Sequence, residues 1–466
     1  MLTLQEVAQG LDLRATAEAR FDCVGTDSRR IRAGQLFVAL RGERFDGHDF
    51  VALAGEQGAV AALVDAAWAA EHGDVELPLL IADDTRLALG ALAAFWRRRF
   101  EIPLIGVTGS NGKTTVKEMC AAIMRAQARL DGRGPGAVLA TSGNLNNDIG
   151  LPLTLLELRD GHCAAIIEMG MNHPGEIAYL TDIARPTVAI VTNAQRAHLM
   201  GMGSLVEIAH EKGAIYAGLA EDGVAIVNAD DPHAAYWSDL NAGRRVMSFG
   251  MEHPADVTVR CTQHGFGSSL ELVTPRNTVK IELQVPGVHN VRNAAGAAAA
   301  CLAAGATLEA VVEGLAGFSG APGRLQRRPG LGGAVILDDT YNANPDSMRA
   351  AIDVLASTAG HTVLVLGDMG EIGQTSAQLH DEIGGYAKSK GIDTLYALGE
   401  MSAVAAHNFG EGAHHFDSPE ALVAALEGQL DPHTVVLVKG SRFMRMERVA
   451  NALAAVHNGA PSQESH

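Results

Sequence analysis

The segment Leu104–Met119, LIGVTGSNGKTTVKEM, constrains the fold more than any other part of the chain. LIGVTG is an uninterrupted apolar run, the pattern of a strand buried on both faces inside a parallel sheet. TGSNGKTT then concentrates glycine and small polar residues. Apolar residues return at Val116, Met119, Cys120, Ile123 and Met124, the i, i+3, i+4, i+7, i+8 stripe of an amphipathic helix. A strand that turns through glycines into a helix aims backbone N–H groups and the positive helix end at one point, which suits an anion. Gly109 and Gly112 allow the curl, Lys113 would reach the outer phosphates of a nucleotide, and the Thr114 hydroxyl would ligate Mg²⁺. The regular G-x-x-x-x-G-K-[ST] spacing is not met, because its first position is Val107 and the leading glycine falls at Gly109. An ordinary glycine-rich strand-to-helix turn is the competing reading; the lysine–threonine pair at the helix start favours phosphate.

The rest of the chain supports an α/β fold in three domains, as does its length of 466 residues at roughly 150 per domain. Residues 1–100 read as a small mixed α/β domain with strands in FVALRG, GAVAALVD and LPLLIADD, followed by a helix over Thr85–Arg99. Residues 101–320 alternate strands (AAIIEMG, TVAIVTN, GVAIVNADD) with helices, as in a central P-loop-type parallel-sheet ATPase domain. Weaker β-structure is expected at its edge over 255–285, then an alanine-rich helix over Asn293–Ala304. The Gly-, Pro- and Arg-rich stretch 321–333 reads as a linker and hinge. Residues 321–466 repeat the alternation (AVILDD, TVLVLGD, TLYALG, TVVLVKGS) and predict a Rossmann-like, doubly wound domain, with the polar tail NGAPSQESH frayed.

Composition narrows the function. Lys plus Arg number 36 against 54 Asp plus Glu, a net charge of −18, so the basic face of a nucleic-acid binder is missing. Five scattered cysteines without a C-x-x-C pair argue against a disulfide framework and fit a reducing cytosol. No apolar run reaches the ~18 residues of a spanning helix, so a soluble cytoplasmic protein without membrane insertion is expected.

Four further residues carry possible chemistry. Glu168 ends an apolar strand, where a carboxylate serves either as a Mg²⁺ ligand beside the phosphate loop or as a solvated strand-end acid. His198 follows another strand end. Lys212 lies in the helical stretch Glu207–Leu219, where a snorkelling surface lysine is the ordinary reading. Asp339 ends the first strand of the C-terminal domain, where it suits either a ribose or base contact or a capped turn.

These segments together resemble the Mur ligase family, the ATP-dependent amide-forming enzymes of peptidoglycan precursor synthesis. The resemblance is carried in order by TGSNGKTTVKE (108–118), IIEMGMNHPGEI (166–177), NAQRAHLMGMGS (193–204), GVHNVRNAAGA (287–297), PGRLQ (322–326), DDTYNANPDSM (338–348) and VKGSR (438–442). Within the family, DSRRIRAGQLFVALRGERFDGHDF (27–50), TSGNLNNDIGLP (141–152) and VLGDMGEIG (365–373) are similar to the member that joins D-alanyl-D-alanine to UDP-N-acetylmuramoyl-tripeptide through an acyl phosphate. The Asp-Asn-Pro-Arg signature expected of the ligase that adds the diamino acid is absent. A sister ligase adding a single amino acid, and a P-loop ATPase without an acceptor, are the alternatives.

The resemblance implies roles residue by residue. Thr108, Gly109, Ser110, Asn111, Gly112, Lys113, Thr114 and Thr115 would hold ATP, with Asn293 and Asp339 as further nucleotide contacts. Arg324 would reach the ATP phosphates from the neighbouring domain. Thr114, Glu168, His198 and Lys212 would hold Mg²⁺, two ions in all, with Lys212 carbamylated. Lys113, Lys212, His198 and Arg324 would be the catalytic set. Ser28 and Arg29 would hold the uridine diphosphate, and Asn144, Asn146 and Asn147 would lie on the substrate side. The N-terminal domain would thus bind the nucleotide-sugar peptide, and the C-terminal domain would close over ATP and bind the dipeptide, in a monomer. One departure is that Met200 and Met202 stand where relatives are expected to carry an acid and an aromatic.

Overall fold

The structure, a computed structural model, describes residues 1–197 and 199–455; His198 lies outside the described residues, as do the side chains of Leu199 and Met200 and the tail beyond Ala455. Three main sheets divide the chain. The first has five strands, in the order Arg14–Ala15, Leu79–Ala82, Ala59–Asp65, Gln35–Val38 and Cys23–Gly25, parallel but for the first pair. The helix Thr85–Arg97 follows it, capped by the Asp84 carboxylate on two backbone N–H groups. Its apolar face, with Leu89, Leu92 and Ala93 fully buried, packs on the central domain, so both domains share one core. Arg86 adds a two-pronged ion pair to Asp148 (2.5 and 2.7 Å) across the junction.

In the central sheet the strand Leu104–Thr108 lies between Ala164–Glu168 and Val188–Val191, parallel to both. After this strand the chain winds to one side (Val138–Ala140, Ala164–Glu168) and then to the other (Val188–Val191, Val224–Asn228, Arg245–Gly250). That reversal opens a crevice at the carboxyl end of Leu104–Thr108, where open α/β sheets bind ligands. The predicted edge is three strands, Val257–His264, Gly267–Val273 and Thr278–Leu283, joined as antiparallel hairpins.

The helix after the phosphate-loop strand, Lys113–Leu130, buries the predicted stripe, with Val116, Met119, Cys120 and Ile123 at most 1 % exposed. Each such side chain contributes about 1.5–3 kcal/mol relative to leaving it in water. Against it packs the helix Val288–Ala303, which begins at Val288 rather than at Asn293 and buries Ala294, Ala295 and Ala297–Ala300 completely.

The C-terminal sheet has six strands, in the order Gln326–Pro329, Val335–Asp339, Thr434–Lys439, His361–Gly367, Thr394–Leu398 and Ala413–Phe416, parallel except for the first. The expected linker over 321–333 is thereby corrected. Gln326–Pro329 is an antiparallel edge strand on Val335–Asp339, its residues alternating between half-buried and exposed. Proline is tolerated at the end of an edge strand because no ladder bond there requires its N–H. Among the described residues, no helix is long and apolar enough to cross a membrane.

Candidate active site

The glycines of the phosphate loop adopt the conformations their sequence positions suggest. Gly109 (φ +146°) and Gly112 (φ +82°) both lie where a side chain is strained, and Gly112 stands directly before the helix Lys113–Leu130. The loop is laced to the segment after the neighbouring strand Val188–Val191. The Ser110 N–H donates to Asn193 O (2.9 Å), the Ser110 hydroxyl to Gln195 O (3.0 Å), and the Asn111 N–H to Asn193 Oδ1 (2.9 Å). In return, the Thr192 hydroxyl and the Asn193 amide donate to Asn111 O (2.6 and 3.0 Å), and the Gln195 N–H donates to Ser110 Oγ (2.9 Å). Thr108 is buried beneath, its hydroxyl donating to Met169 O, while Thr115 is buried in the first helical turn. Lys113 folds back, its Nζ donating to Gly109 O (2.8 Å) and Ser110 O (3.3 Å). Burial lowers its pKa, Glu168 opposing and Arg324 adding to the shift.

Glu168 ends its strand beside Val107 and is buried (2 % exposed). Asn146 donates to its Oε1 at 2.7 Å, and the Thr141 hydroxyl accepts from its backbone N–H at 2.9 Å. Its other oxygen, Oε2, is buried without a hydrogen-bond partner among the described residues. A carboxylate oxygen in that position is an unmet acceptor that a cation would satisfy. Lys212, on the helix Leu205–Gly213, is not the snorkelling surface lysine of the ordinary reading: its side chain is buried. Its pKa falls well below that of a free lysine, chiefly by burial and further by the charge of Lys113, with Glu211 pulling the other way. Met202 is buried as well.

A cleft of about 1020 Å³ lies over the loop and is lined from all three domains. Ser110–Lys113, Asn146, Asn147, Glu168 and Asn293 face it from the centre, Arg86 and Leu87 from the N-terminal side, and Arg324, Tyr341 and Asp339 from the C-terminal side. Arg324 crosses the cleft to donate from Nη2 to the Thr114 hydroxyl (2.7 Å) and lies 4.2 Å over the Tyr341 ring. Asp339 is occupied, accepting from the Leu325 N–H (3.1 Å) and pairing with the buried Lys439 amine (2.6 Å). Asn293 sits against the loop so closely that a Cβ on Gly112 would stand 2.6 Å from its Oδ1.

Two groups of expected substrate residues lie elsewhere. Ser28 and Arg29 form a short helical turn outside the cleft lining, where the Arg29 guanidinium holds the Asp27 carboxyl down at about 2. Asn144 is exposed in the loop before Asn146 and does not line the cleft. Conversely, the motif reading passed over Asn290, Lys439, Arg196, Asn344 and Asp346. Asn290 had a signal, since it stands one turn before Asn293 and accepts from its amide at 3.2 Å. Arg196, Asn344 and Asp346 meet only through the tertiary fold.

A phosphate loop at a sheet's switch point, faced across a shared cleft by an arginine two residues before the first strand of a second sheet, is the construction of a nucleotide-using enzyme. The family models agree: the Mur ligase family catalytic domain matches residues 20–97, the Mur ligase middle domain 107–301, and the Mur ligase glutamate ligase domain 323–442. The chain belongs to the Mur ligase family. Among its relatives, the UDP-N-acetylmuramoyl-tripeptide–D-alanyl-D-alanine ligase of Escherichia coli is 44 % identical, covering 94 % of each chain. That of Haemophilus influenzae is 40 % identical, covering 97 % of this chain and 98 % of its own. A crystal structure of MurF from Acinetobacter baumannii superposes with a TM-score of 0.87 at 37 % identity, covering 96 % of this chain and 98 % of its own. The MurF ligase of Thermotoga maritima in complex with ADP gives 0.80 at 29 % identity, covering 92 % and 96 %.

Proposed function

We propose that this chain is an ATP-dependent ligase that joins D-alanyl-D-alanine to UDP-N-acetylmuramoyl-tripeptide, releasing ADP and phosphate. The observation that carries the reading is Arg324 reaching from the C-terminal domain to Thr114 at the phosphate loop, in a chain whose full-length relatives bear that activity. A carboxylate is a poor electrophile, so the tripeptide's terminal carboxylate first attacks the γ-phosphorus of ATP and ADP leaves. The neutral amine of the dipeptide then attacks the acyl carbon, phosphate departs with the C–O bond electrons, and the new amide nitrogen loses a proton. Lys113 and Arg324 offset the negative charge that spreads over the transferred phosphoryl oxygens. Gly112 and the first N–H groups of the helix Lys113–Leu130 cradle the remaining phosphates, in a loop that the Ser110 and Asn111 N–H bonds to Asn193 hold in shape, with Asn293 and Asp339 toward the nucleoside. Closure of the C-terminal domain keeps water from the acyl phosphate.

The unpartnered Glu168 Oε2 fits a divalent cation, and Glu168 with the Thr114 hydroxyl would hold Mg²⁺, with His198 and Lys212 for a second ion. When bound, Mg²⁺ supplies charge neutralisation of the ATP phosphates. Burial lowers the Lys212 pKa and so favours the neutral amine that addition to carbon dioxide requires, and as a carbamate the side chain becomes an anion suited to a cation. Ser28 and Arg29 bind the uridine diphosphate end, and Asn144, Asn146 and Asn147 contact the peptide. The reaction needs residues from a single chain, which acts as a monomer in the cytoplasm, over domains bounded near residues 100 and 320. Phosphate release tests the proposal: it should require the nucleotide tripeptide and D-alanyl-D-alanine together, and single amino acids should not replace the dipeptide. Lys113→Ala should abolish release while leaving the circular-dichroism spectrum intact; near-normal turnover would sink the phosphate-loop assignment.

A further inference from the structure

The helix Pro345–Ala356 of the C-terminal domain meets the central domain with its first turn. Asn344, its N-cap, exchanges amide hydrogen bonds with Asn111 of the phosphate loop, donating to Asn111 Oδ1 at 2.7 Å and accepting from Asn111 Nδ2 at 3.4 Å. Two residues on, the Asp346 carboxylate accepts from the Arg196 backbone N–H (2.9 Å) and from its guanidinium, Nη2 at 2.6 Å and Nε at 3.1 Å. Both side chains are about three-quarters covered (27 % and 23 % exposed), so this fork is shielded more than an ordinary surface ion pair.

Arg196 ends the segment 192–196, whose preceding residues carry the lacing that shapes Ser110 and Asn111. The Asn111 amide also donates to Gln195 Oε1 at 2.7 Å. The segment 192–196 is therefore held along its length by the phosphate loop and at its Arg196 end by Asp346. Releasing Asp346 removes four hydrogen bonds from the Arg196 end of that segment and leaves the Arg196 backbone N–H unpaired.

We propose that Arg196 and Asp346 are a positioning pair that couples docking of the C-terminal domain to the nucleotide-binding shape of the phosphate loop. Neither residue touches the reacting atoms; they act through Gln195 and Asn111. The inference rests on the ligase reading above and adds to it residues that no motif of the phosphate loop contains.

An alanine double-mutant cycle on the full chain tests it, read by ligation kinetics, by calorimetric binding of a non-hydrolysable ATP analogue, and by melting temperature. R196A and D346A should each raise the KM for ATP and lower kcat/KM about tenfold, at unchanged melting temperature. The double variant should fall no lower than the worse single one, and Arg196→Lys, which keeps charge but not the fork, should recover part of the loss. Singles within about twofold of the parent, losses that multiply in the double variant, or losses that track a falling melting temperature would overturn the pair. If the parent chain shows no ligation, the ligase reading fails, while the analogue affinities still report the coupling of the two residues.

Discussion

Gly109→Ala is the most informative single change to the phosphate loop. A Cβ at this position would stand 1.8 Å from Thr192 Oγ1 and 3.0 Å from Thr192 Cβ, on a backbone whose φ is +146°. The backbone conformation alone costs an alanine about 1–3 kcal/mol. Thr192 must also move, which breaks its 2.6 Å hydrogen bond to Asn111 O. That loss adds about 1 kcal/mol, and the residual crowding against the Thr192 Cβ a further ~1–3 kcal/mol. The middle of the range is about 5 kcal/mol, comparable to the whole stability of a modest domain. The loop will deform before the sheet does, so the loss divides between stability and nucleotide affinity.

Urea unfolding should show a lower midpoint, and the KM for ATP should rise at least about tenfold, which corresponds to only about 1.4 kcal/mol of the strain. The informative control is Gly109→Ala in a Thr192→Ala background. The 1.8 Å clash disappears there, the 3.0 Å contact and the φ strain remain, and both readouts should recover partway. A Gly109→Ala chain with parental midpoint and KM would refute the reasoning, as would a Thr192→Ala background that gives no recovery.

Two further outcomes are expected. Lys212→Ala should be inactive in phosphate release and should regain part of its activity with added short-chain carboxylates, whereas full activity without them would remove the carbamate from the mechanism. His289 lines the cleft, and burial lowers its pKa from 6.5 to about 4, with Asp339 opposing and Lys439 and Arg292 assisting. The unfolded chain therefore takes up a proton before the folded one does. This contribution to stability is complete above pH 6.5, is lost as pH falls towards 4 and changes no further below that. Urea midpoints measured across this window should drop less in His289→Gln than in the parent; equal slopes would show that His289 does not titrate in this way.

Legibility in the sequence followed burial and locality. The strand–loop–helix at Leu104–Leu130 was readable because its apolar run, its glycines and its helical stripe each follow from local physics that the packing does not override. Val138–Ala140, Arg245–Gly250 and Ala413–Phe416 were not readable as strands. Two of them are sheet-edge strands of three and four residues, and Arg245–Gly250 is largely open at its start, so none carries the long apolar run of a central strand. Gln326–Pro329 was hidden by its arginines and proline, which suit a linker as well as they suit an edge strand. In the site, Lys113 could be picked out from the glycine loop and the Lys-Thr pair at the helix start, and Glu168 from the end of an apolar run. Arg196 and Asp346 are 150 residues apart and meet only because two sheets dock, for which a local pattern holds no record.

The alanines of the helix Val288–Ala303 act as a gauge. Because Ala294, Ala295 and Ala297–Ala300 are fully buried and minimal in size, the helix lies close enough to its phosphate-loop neighbour for the Cys120 thiol to reach Ala297 O at 3.9 Å. That spacing, more than any charge, sets Asn293 against Gly112. A single added methylene in this seam would act like a shim, lifting the asparagine from the loop while leaving every polar group of the site intact. The tolerance of the nucleotide site is thus written partly into residues that carry no chemistry of their own.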